Sequence, residues 1–134
     1  LIDSVSVDAA CSGNPGILEY QGIDNVSQDQ LFYFGPLHHS TNNIGEFLAI
    51  VHGLAWLKQR GYDTTTIYTD SRTAMAWVRN KKVKTTLQKT SANQPVWNLI
   101  DRAIAWLSKN DIKNPIVKWD TKSWGEIPAD FGRK

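Results

Sequence analysis

Little in this sequence points to an oxidising environment or to a membrane. Cys11 is the only cysteine among 134 residues, so no disulfide can form within the chain, as is typical of a reducing compartment. No apolar run approaches the roughly 20 residues that span a bilayer, and no secretory signal is visible. We therefore expect a cytoplasmic protein without membrane contact. The chain begins at Leu1 rather than at a methionine, which leaves open an upstream domain.

Basic residues are missing from the first part of the chain. All 15 Lys and Arg residues fall at or after Lys58, whereas residues 1–57 carry six acids and no base. A basic half beside a group of carboxylates suits an enzyme that acts on a polyanion, because the cations hold the charged backbone. A solvated surface with unevenly placed charges explains the same asymmetry nearly as well.

The composition is that of one globular domain. Hydrophobic residues make up 41% of the chain and aromatic residues 10%, which is enough to bury a core at this length. We therefore expect residues 1–134 to form a single domain.

The hydrophobic pattern predicts strands first and helices later. Residues 3–8, 16–23 and 30–35 have the character of strands, and turn-rich sequence between them is typical of an antiparallel meander. The elements predicted after the meander are helix 43–60, strand 65–69, helix 71–80, an irregular basic connector over 81–92, an amphipathic helix opened by Pro95, and strand 116–119. The sequence therefore predicts an α/β fold with a mixed five-stranded sheet, three antiparallel strands followed by helix-linked strands.

Four acidic residues occupy positions that suit a hard cation. Asp8 is expected to end a strand whose valines face one way, while Ser6 and Asp8 face a polar surface. Asp70 ends another strand, Glu46 falls in the first turn of a helix, and Asp130 lies close to the C-terminus. Carboxylates delivered by strand ends and a helix start are a recurrent way to bind Mg²⁺.

Each of the four acids has a simpler explanation when taken singly. Asn43 and Glu46 match a variant capping box, and Asp70 could cap the helix that follows it. Asp8 could serve the following turn, and Asp130 could be a solvated residue near a chain end. The sequence around the four positions favours the metal site.

Four segments carry a family resemblance: Ser6–Gly16, Thr41–Ile50, Tyr68–Ala74 and Trp124–Asp130. They resemble the signature segments of type 1 ribonuclease H and occur in the order of that family. The match runs over essentially the whole chain. The ending, with Lys118-Trp119 and Gly132-Arg133-Lys134, is similar to that of the bacterial branch. The resemblance implies the ribonuclease H-like fold.

The resemblance also implies an activity. A member of this family would be a monomeric endonuclease that cuts the RNA strand of RNA/DNA hybrids with two Mg²⁺ ions, for which Mn²⁺ substitutes, and leaves 5′-phosphate and 3′-hydroxyl ends. Asp8 would bridge both ions, Asp130 would favour the water-activating ion, and Glu46 with Asp70 would complete the leaving-group side. No other nucleophile competes, because Cys11 has no nearby histidine in the sequence.

Substrate contacts are implied at four places. The turn at 12–15 would offer backbone groups to 2′-hydroxyls, and positions 41–43 would face a phosphate or minor-groove edges. Trp77 would pack on a sugar of the DNA strand while positions 85–86 grip a phosphate; ordinary core packing is the alternative for Trp77. The implied substrate-binding residues are Ser12, Gly13, Asn14, Pro15, Thr41, Asn42, Asn43, Arg72, Trp77, Thr85 and Thr86.

Two positions depart from the family pattern. Glu126 stands where many members carry a histidine, so it is a candidate catalytic residue for metal exchange or product release, or else a solvated loop residue. Arg72 replaces a polar amide, which leaves its minor-groove contact open. Two other functions are weighed: a junction resolvase or integrase-type nuclease, disfavoured by the Gly13–Gly16 turn, and a non-catalytic hybrid-binding module, disfavoured by the intact carboxylates.

Overall fold

The computed structural model describes residues 3–132 as one five-stranded sheet with four helices. The elements are β1 (Ser4–Gly13), β2 (Gly16–Asp24), β3 (Gln30–Ser40), α1 (Asn42–Gln59), β4 (Thr66–Thr69), α2 (Arg72–Asn80), α3 (Gln94–Lys109), β5 (Ile116–Lys118) and α4 (Thr121–Trp124). None of the helices in this part of the chain has the length and apolar character needed to cross a membrane. Arg133 and Lys134, which belong to the ending that is similar to the bacterial branch, lie outside the described residues.

The sheet is mixed, as the sequence predicts. Its strand order is β3-β2-β1-β4-β5. The first three strands pair antiparallel, whereas β4 pairs parallel with both β1 and β5. The hairpin between β1 and β2 closes at Gly13 and Gly16, and the turn after β2 is held by Asp24, whose side chain accepts from the backbone N–H of Val26 and of Ser27. The predicted meander is confirmed.

Strand β1 is longer than its side-chain pattern indicates. It continues past Asp8 to Gly13, and β3 likewise continues to Ser40, so the expected strand ends at 8 and 35 are wrong. The backbone ladder with β2 holds the run from Ala9 to Ser12 extended, although its small side chains show no alternation. The short helix α4 was not expected; Asp120 caps it by accepting from the backbone N–H of Ser123.

Helix α1 is central to the core. Most of its side chains from Ile44 to Leu57 are buried, because the sheet covers one side and α2 and α3 cover the others. Its contact with the sheet is close at Gly45, where an added Cβ would lie 2.1 Å from Cδ1 of Leu18. The side chains of Val7 and Ala9 on β1 meet α1 at Gly53 and Gly45. Alternation therefore places Ser6 and Asp8 on the opposite face of the sheet.

That opposite face is not the polar surface expected from the sequence. Ser6 is fully buried and Asp8 is 1% exposed. The hydroxyl of Ser6 donates to the side-chain carbonyl of Asn25, and the side-chain NH₂ of Asn25 donates to the hydroxyl of Ser4. The loop after β2 therefore covers this part of the sheet.

Candidate active site

The site begins where β1 and β4 separate. The two strands pair from Ser4 with Thr66 to Ser6 with Tyr68, after which β4 ends at Thr69 while β1 runs on. Asp8 and Asp70 each follow the last paired residue of their strand by two positions, so their side chains leave the same face of the sheet. Among residues 3–132, no strand pairs with β1 on this side beyond Ser6, and the two carboxylates each place an oxygen within 4.8 Å of the other.

Glu46 reaches the same gap from α1. The helix begins after Thr41, whose side chain accepts from the backbone N–H of Ile44 at 3.3 Å. Asn43 therefore lies inside the helix, and the capping-box explanation of Glu46 is wrong. The carboxylate of Glu46, 2% exposed, instead accepts from the backbone N–H of Ala9 through Oε1 at 3.2 Å. The backbone N–H of Ala9 is free to make this bond because the pairing of β1 with β4 ends at Ser6, three residues earlier.

The result is a close group of three carboxylates. Asp8, Glu46 and Asp70 each place an oxygen within 4.8 Å of the others. Asp8 and Glu46 are buried, and Asp70 is partly buried. Asp70 does not cap α2, because the side chain of Ser71 accepts the N–H of Ala74 at 3.0 Å. In the described part of the chain this is the one group of three or more His, Cys, Asp or Glu side chains at such spacing.

The electrostatics of this carboxylate triad (Asp8, Glu46 and Asp70) are unfavourable without a cation. Burial is the largest cause that raises the pKa of Glu46 well above its ordinary value, followed by its hydrogen bond and charge interaction with Asp8 and by the charge of Asp70. The hydrogen bond from Ala9 acts in the opposite direction and does not compensate. Buried like charges at this spacing ionise together only beside a cation, and a set made only of oxygens suits Mg²⁺ or Mn²⁺.

Asp130 stands outside the triad but beside β1. It lies in the irregular segment after α4, and it lines a cavity of about 360 Å³ together with Ala9, Ala10 and Ser12. The side-chain amide of Gln21 donates to the backbone carbonyl of Ala129 at 2.7 Å. One carboxylate oxygen of Asp130 is buried, so this residue is not simply a solvated one near the chain end.

A groove has in its lining Cys11, Asn43 and Thr73, each of which lies three residues along the chain from a member of the carboxylate triad. It has a volume of about 620 Å³ and lies between the β1–β2 hairpin, the start of α1, and α2 with the connector that follows. Its lining includes most of the implied substrate contacts, namely Gly13, Asn14, Thr41, Asn42, Asn43, Trp77, Thr85 and Thr86. Segments far apart in the chain therefore share one surface.

The remaining implied contacts lie near this groove rather than in it. Ser12 lines the cavity of Asp130, and Pro15 lines a neighbouring cavity next to Thr86. Arg72 opens α2 with an exposed side chain, and Glu126 is exposed in the loop after α4.

The hairpin at the mouth of the groove depends on glycine. Gly13 has a φ of +110°, which side chains with a Cβ rarely adopt. A Cβ at Gly16 would lie 2.0 Å from the carbonyl oxygen of Ser12, so the turn closes only with glycine there. The backbone groups of 13–14 are thereby held at the groove surface.

Trp77 belongs to both the core and the groove. It is 7% exposed and packs edge-on against Phe47, with ring centroids 6.2 Å apart. It also lines the groove. Most of the Trp77 ring is therefore packed in the core, and only its small exposed part is available to a ligand.

The sequence analysis missed three groove residues: Cys11, Thr73 and Lys84. Thr73 precedes Trp77 by one helical turn, so helical spacing from Trp77 could have found it. Lys84 adjoins the predicted pair Thr85 and Thr86 and could have been added for its charge.

Comparison with known proteins identifies close sequence relatives. The family model described as RNase H matches residues 4–121. A ribonuclease H of Francisella tularensis subsp. novicida is 34% identical over an aligned stretch of 136 residues, gaps included. The alignment covers 92% of this chain and 82% of that protein. A ribonuclease H of Bordetella avium is 34% identical over 105 residues, which cover 73% of this chain and 67% of that protein.

Solved structures share the fold. RNase H1 from the archaeon Halobacterium salinarum NRC-1 matches with a TM-score of 0.53 at 20% identity, covering 90% of this chain and 86% of that one. LC11-RNase H1 in complex with an RNA/DNA hybrid matches with a TM-score of 0.56 at 16% identity, covering 89% and 86%. From the family match, the homologues and the shared fold together, we conclude that this chain belongs to the ribonuclease H family of enzymes.

Proposed function

We propose that this ribonuclease H hydrolyses the RNA strand of RNA/DNA hybrids and leaves 5′-phosphate and 3′-hydroxyl ends. The observation that carries the proposal is the carboxylate triad of Asp8, Glu46 and Asp70 at the gap between β1 and β4. The groove whose lining includes residues three positions from each triad member supports it, and in this proposed role we call it the hybrid groove. The family supports ribonuclease H activity, and LC11-RNase H1 of the same fold is known in complex with an RNA/DNA hybrid.

The proposed metal ligands are Asp8, Glu46, Asp70 and Asp130, which hold two Mg²⁺ ions, with Mn²⁺ as a substitute. The donors fit these ions, since all are oxygens and three of them are held together despite mutual repulsion. When bound, a pair of such ions supplies an activated water and stabilises the leaving oxygen of a phosphodiester. Asp8 would be the ligand common to both ions, as the family resemblance implies, and its carboxylate lies within 4.8 Å of those of Glu46 and Asp70.

The carboxylates impose an order on the reaction. The buried acids repel a phosphodiester, so substrate binds productively only when their charge is offset. Glu46 favours its protonated form in the bare site and must give up that proton to act as a ligand. The triad therefore ties cleavage to the presence of metal, and binding of the strand backbone falls to the rest of the groove.

The hybrid groove has separate places for the two strands. On the RNA side, the fixed backbone of 13–14 and the side chains at 41–43 are within reach of 2′-hydroxyls near the triad. On the DNA side, the exposed part of Trp77 offers an apolar contact for a sugar, while Thr85, Thr86 and Lys84 surround a place for a phosphate. This division explains how one groove could distinguish a hybrid from either duplex.

Two more residues receive roles in the proposal. Glu126 is exposed in the loop that precedes Asp130, a position from which it can assist metal exchange or product release. Arg72 is exposed at the start of α2, one residue before groove-lining Thr73, so it contributes charge beside the minor groove. We also propose that the described residues act as a single catalytic domain, because they share one sheet and one core. The expectation of a monomer is kept as a proposal.

One assay tests the proposal. RNA/DNA hybrid, RNA duplex and DNA duplex of the same sequence are each incubated with the protein in Mg²⁺, in Mn²⁺ and in chelator, and the ends of the products are identified. We expect cleavage of the RNA strand of the hybrid alone, with either metal and not with chelator. Cleavage of DNA duplex at a similar rate would support the resolvase or integrase-type function instead, and hybrid binding without cleavage would support a binding module.

A further inference from the structure

The segment that carries Asp130 has little regular structure of its own. It follows the end of α4 and forms a turn in which the N–H of Asp130 donates to the carbonyl of Ile127 at 2.9 Å. The N–H of Gly132 then donates to the Asp130 carboxylate at 3.0 Å. These bonds shape the turn locally but do not set its position relative to β1.

A side chain of the sheet reaches this segment. The amide Nε2 of Gln21 donates to the carbonyl oxygen of Ala129 at 2.7 Å, across 108 residues of sequence. Ala129 itself is fully buried, so its carbonyl has few opportunities to bond with water. The hydrogen bond therefore joins β2 to the residue directly before Asp130.

Gln21 lies directly opposite Asp8 in the sheet, so the bond to Ala129 starts beside a proposed metal ligand. Gln21 is the cross-strand partner of Asp8 in the β1–β2 ladder, and directly opposed residues have their side chains on the same face. One rung of the sheet therefore carries both a member of the carboxylate triad and the donor that holds Ala129. This pair of residues therefore forms a connection between the strand position of Asp8 and the segment that carries Asp130.

A second glutamine fixes the orientation of the Gln21 amide. Nε2 of Gln30 donates to Oε1 of Gln21 at 2.9 Å. Since Gln21 accepts at Oε1, its Nε2 remains to donate to Ala129, and both bonds agree on the same amide orientation. Gln30 is exposed, so it supports Gln21 without touching the site.

We propose that Gln21 is a positioning residue that holds Asp130 beside β1, the strand that carries Asp8, with Gln30 in support. The inference rests on the proposed function, in which Asp130 is a metal ligand. Gln21 contacts neither metal nor substrate; it acts through the carbonyl of Ala129. Partners of this kind, which orient a ligand without binding the metal, typically change metal affinity or activity by about 10- to 100-fold when removed.

The test replaces Gln21 by methionine, which has a similar length and no amide. Gln21→Met is compared with Gln30→Met and with Gln59→Met, a control at an exposed position at the end of α1. The first readout uses the metal-free protein: hydrogen–deuterium exchange of peptides that cover residues 127–132. We expect faster exchange in Gln21→Met, a smaller increase in Gln30→Met and none in Gln59→Met, with the thermal midpoint of each variant measured in parallel.

The second readout is kinetic. In Gln21→Met we expect kcat on the hybrid to fall by about 10-fold or more while KM stays within about twofold, and the Mg²⁺ concentration for half-maximal rate to rise. Higher Mg²⁺ should restore part of the rate, because every ligand is still present. Asp130→Asn should lose more activity and should not be restored.

The outcomes separate the two ideas. Unchanged exchange of 127–132 together with unchanged Mg²⁺ dependence in Gln21→Met would overturn the positioning role, even if Asp130→Asn is inactive. An active Asp130→Asn would instead remove Asp130 from the proposed metal site. A fall in thermal midpoint with no local change in exchange would show that Gln21 only stabilises the fold.

Discussion

Replacing Asp8 by asparagine should stabilise the metal-free protein while it abolishes cleavage. Asp8 and Glu46 are buried, and their oxygens lie within 4.8 Å of each other. Two full charges at that distance repel by roughly 3 kcal/mol in a medium of effective dielectric constant near 20. Burial and the neighbouring acids raise the pKa of Glu46, so Glu46 holds a proton near neutrality. The repulsion left in the bare site is that between Asp8 and the partly buried Asp70, whose oxygens lie at the same spacing.

The expected gain is therefore smaller than the full repulsion. We expect Asp8→Asn to raise the free energy of unfolding by about 1–2 kcal/mol in chelator, since asparagine keeps the shape and can still hydrogen-bond to Glu46. Such a change raises the thermal midpoint of a domain of this size by about 3–8 °C. The carboxylate of Asp8 would then be required for cleavage while it lowers the stability of the metal-free protein, as is common where an active site gathers like charges.

Urea unfolding in chelator and in Mg²⁺ measures this effect. Asp101→Asn, at an exposed position on α3, is the matched control and should change stability by no more than about 0.5 kcal/mol. Saturating Mg²⁺ should stabilise the unchanged protein more than Asp8→Asn, because the variant has lost a ligand. If Asp8→Asn is less stable than the unchanged protein in chelator, the carboxylates are not in repulsion and the reasoning about this site fails.

Three further predictions concern substrate and pH. Hybrid binding should weaken steeply with salt, with a log–log slope of about −0.7 to −0.9 per phosphate contacted, and a flat dependence would contradict a role for the basic half. Thr86→Ala should weaken hybrid binding by about 1 kcal/mol with little change in kcat, whereas deoxyribonucleotides in place of the ribonucleotides around the cut should stop cleavage. Thr64→Ala, at an exposed loop position, is the control for Thr86→Ala. An equal loss of binding in Thr64→Ala would contradict a phosphate contact by Thr86. Burial lowers the pKa of His52, so the unfolded chain binds its proton more readily and stability should fall as the pH drops below about 6.5. His52→Gln should remove part of this loss in urea unfolding at pH 7.5 and 5.5, and an unchanged loss would assign it to other groups.

The fold could be predicted from the sequence where side chains repeat with a clear period. The alternation in β1 and the apolar spacing of α1 are local properties, and both elements are present near the expected positions. The far end of β1 could not be predicted, because its small residues carry no alternation and the ladder with β2 keeps them extended. The cap of α1 was misplaced for a related reason: Thr41 and Asn43 are both good caps, and only the folded backbone decides between them.

The residue types of the candidate site could be predicted from the sequence, but the contacts that bring these residues together could not. Residue types and their order along the chain were enough to indicate the family and to single out Asp8, Glu46, Asp70 and Asp130, whose roles as ligands remain a prediction. That three of these acids meet depends on the separation of β1 from β4, which lets a helix side chain approach a strand from the side that lacks a partner. The contact between Gln21 and Ala129 crosses 108 residues, and no local pattern records it. Periodicity reports how each segment contacts its surroundings, whereas the identity of the neighbour is decided only when the strands have taken their order in the sheet.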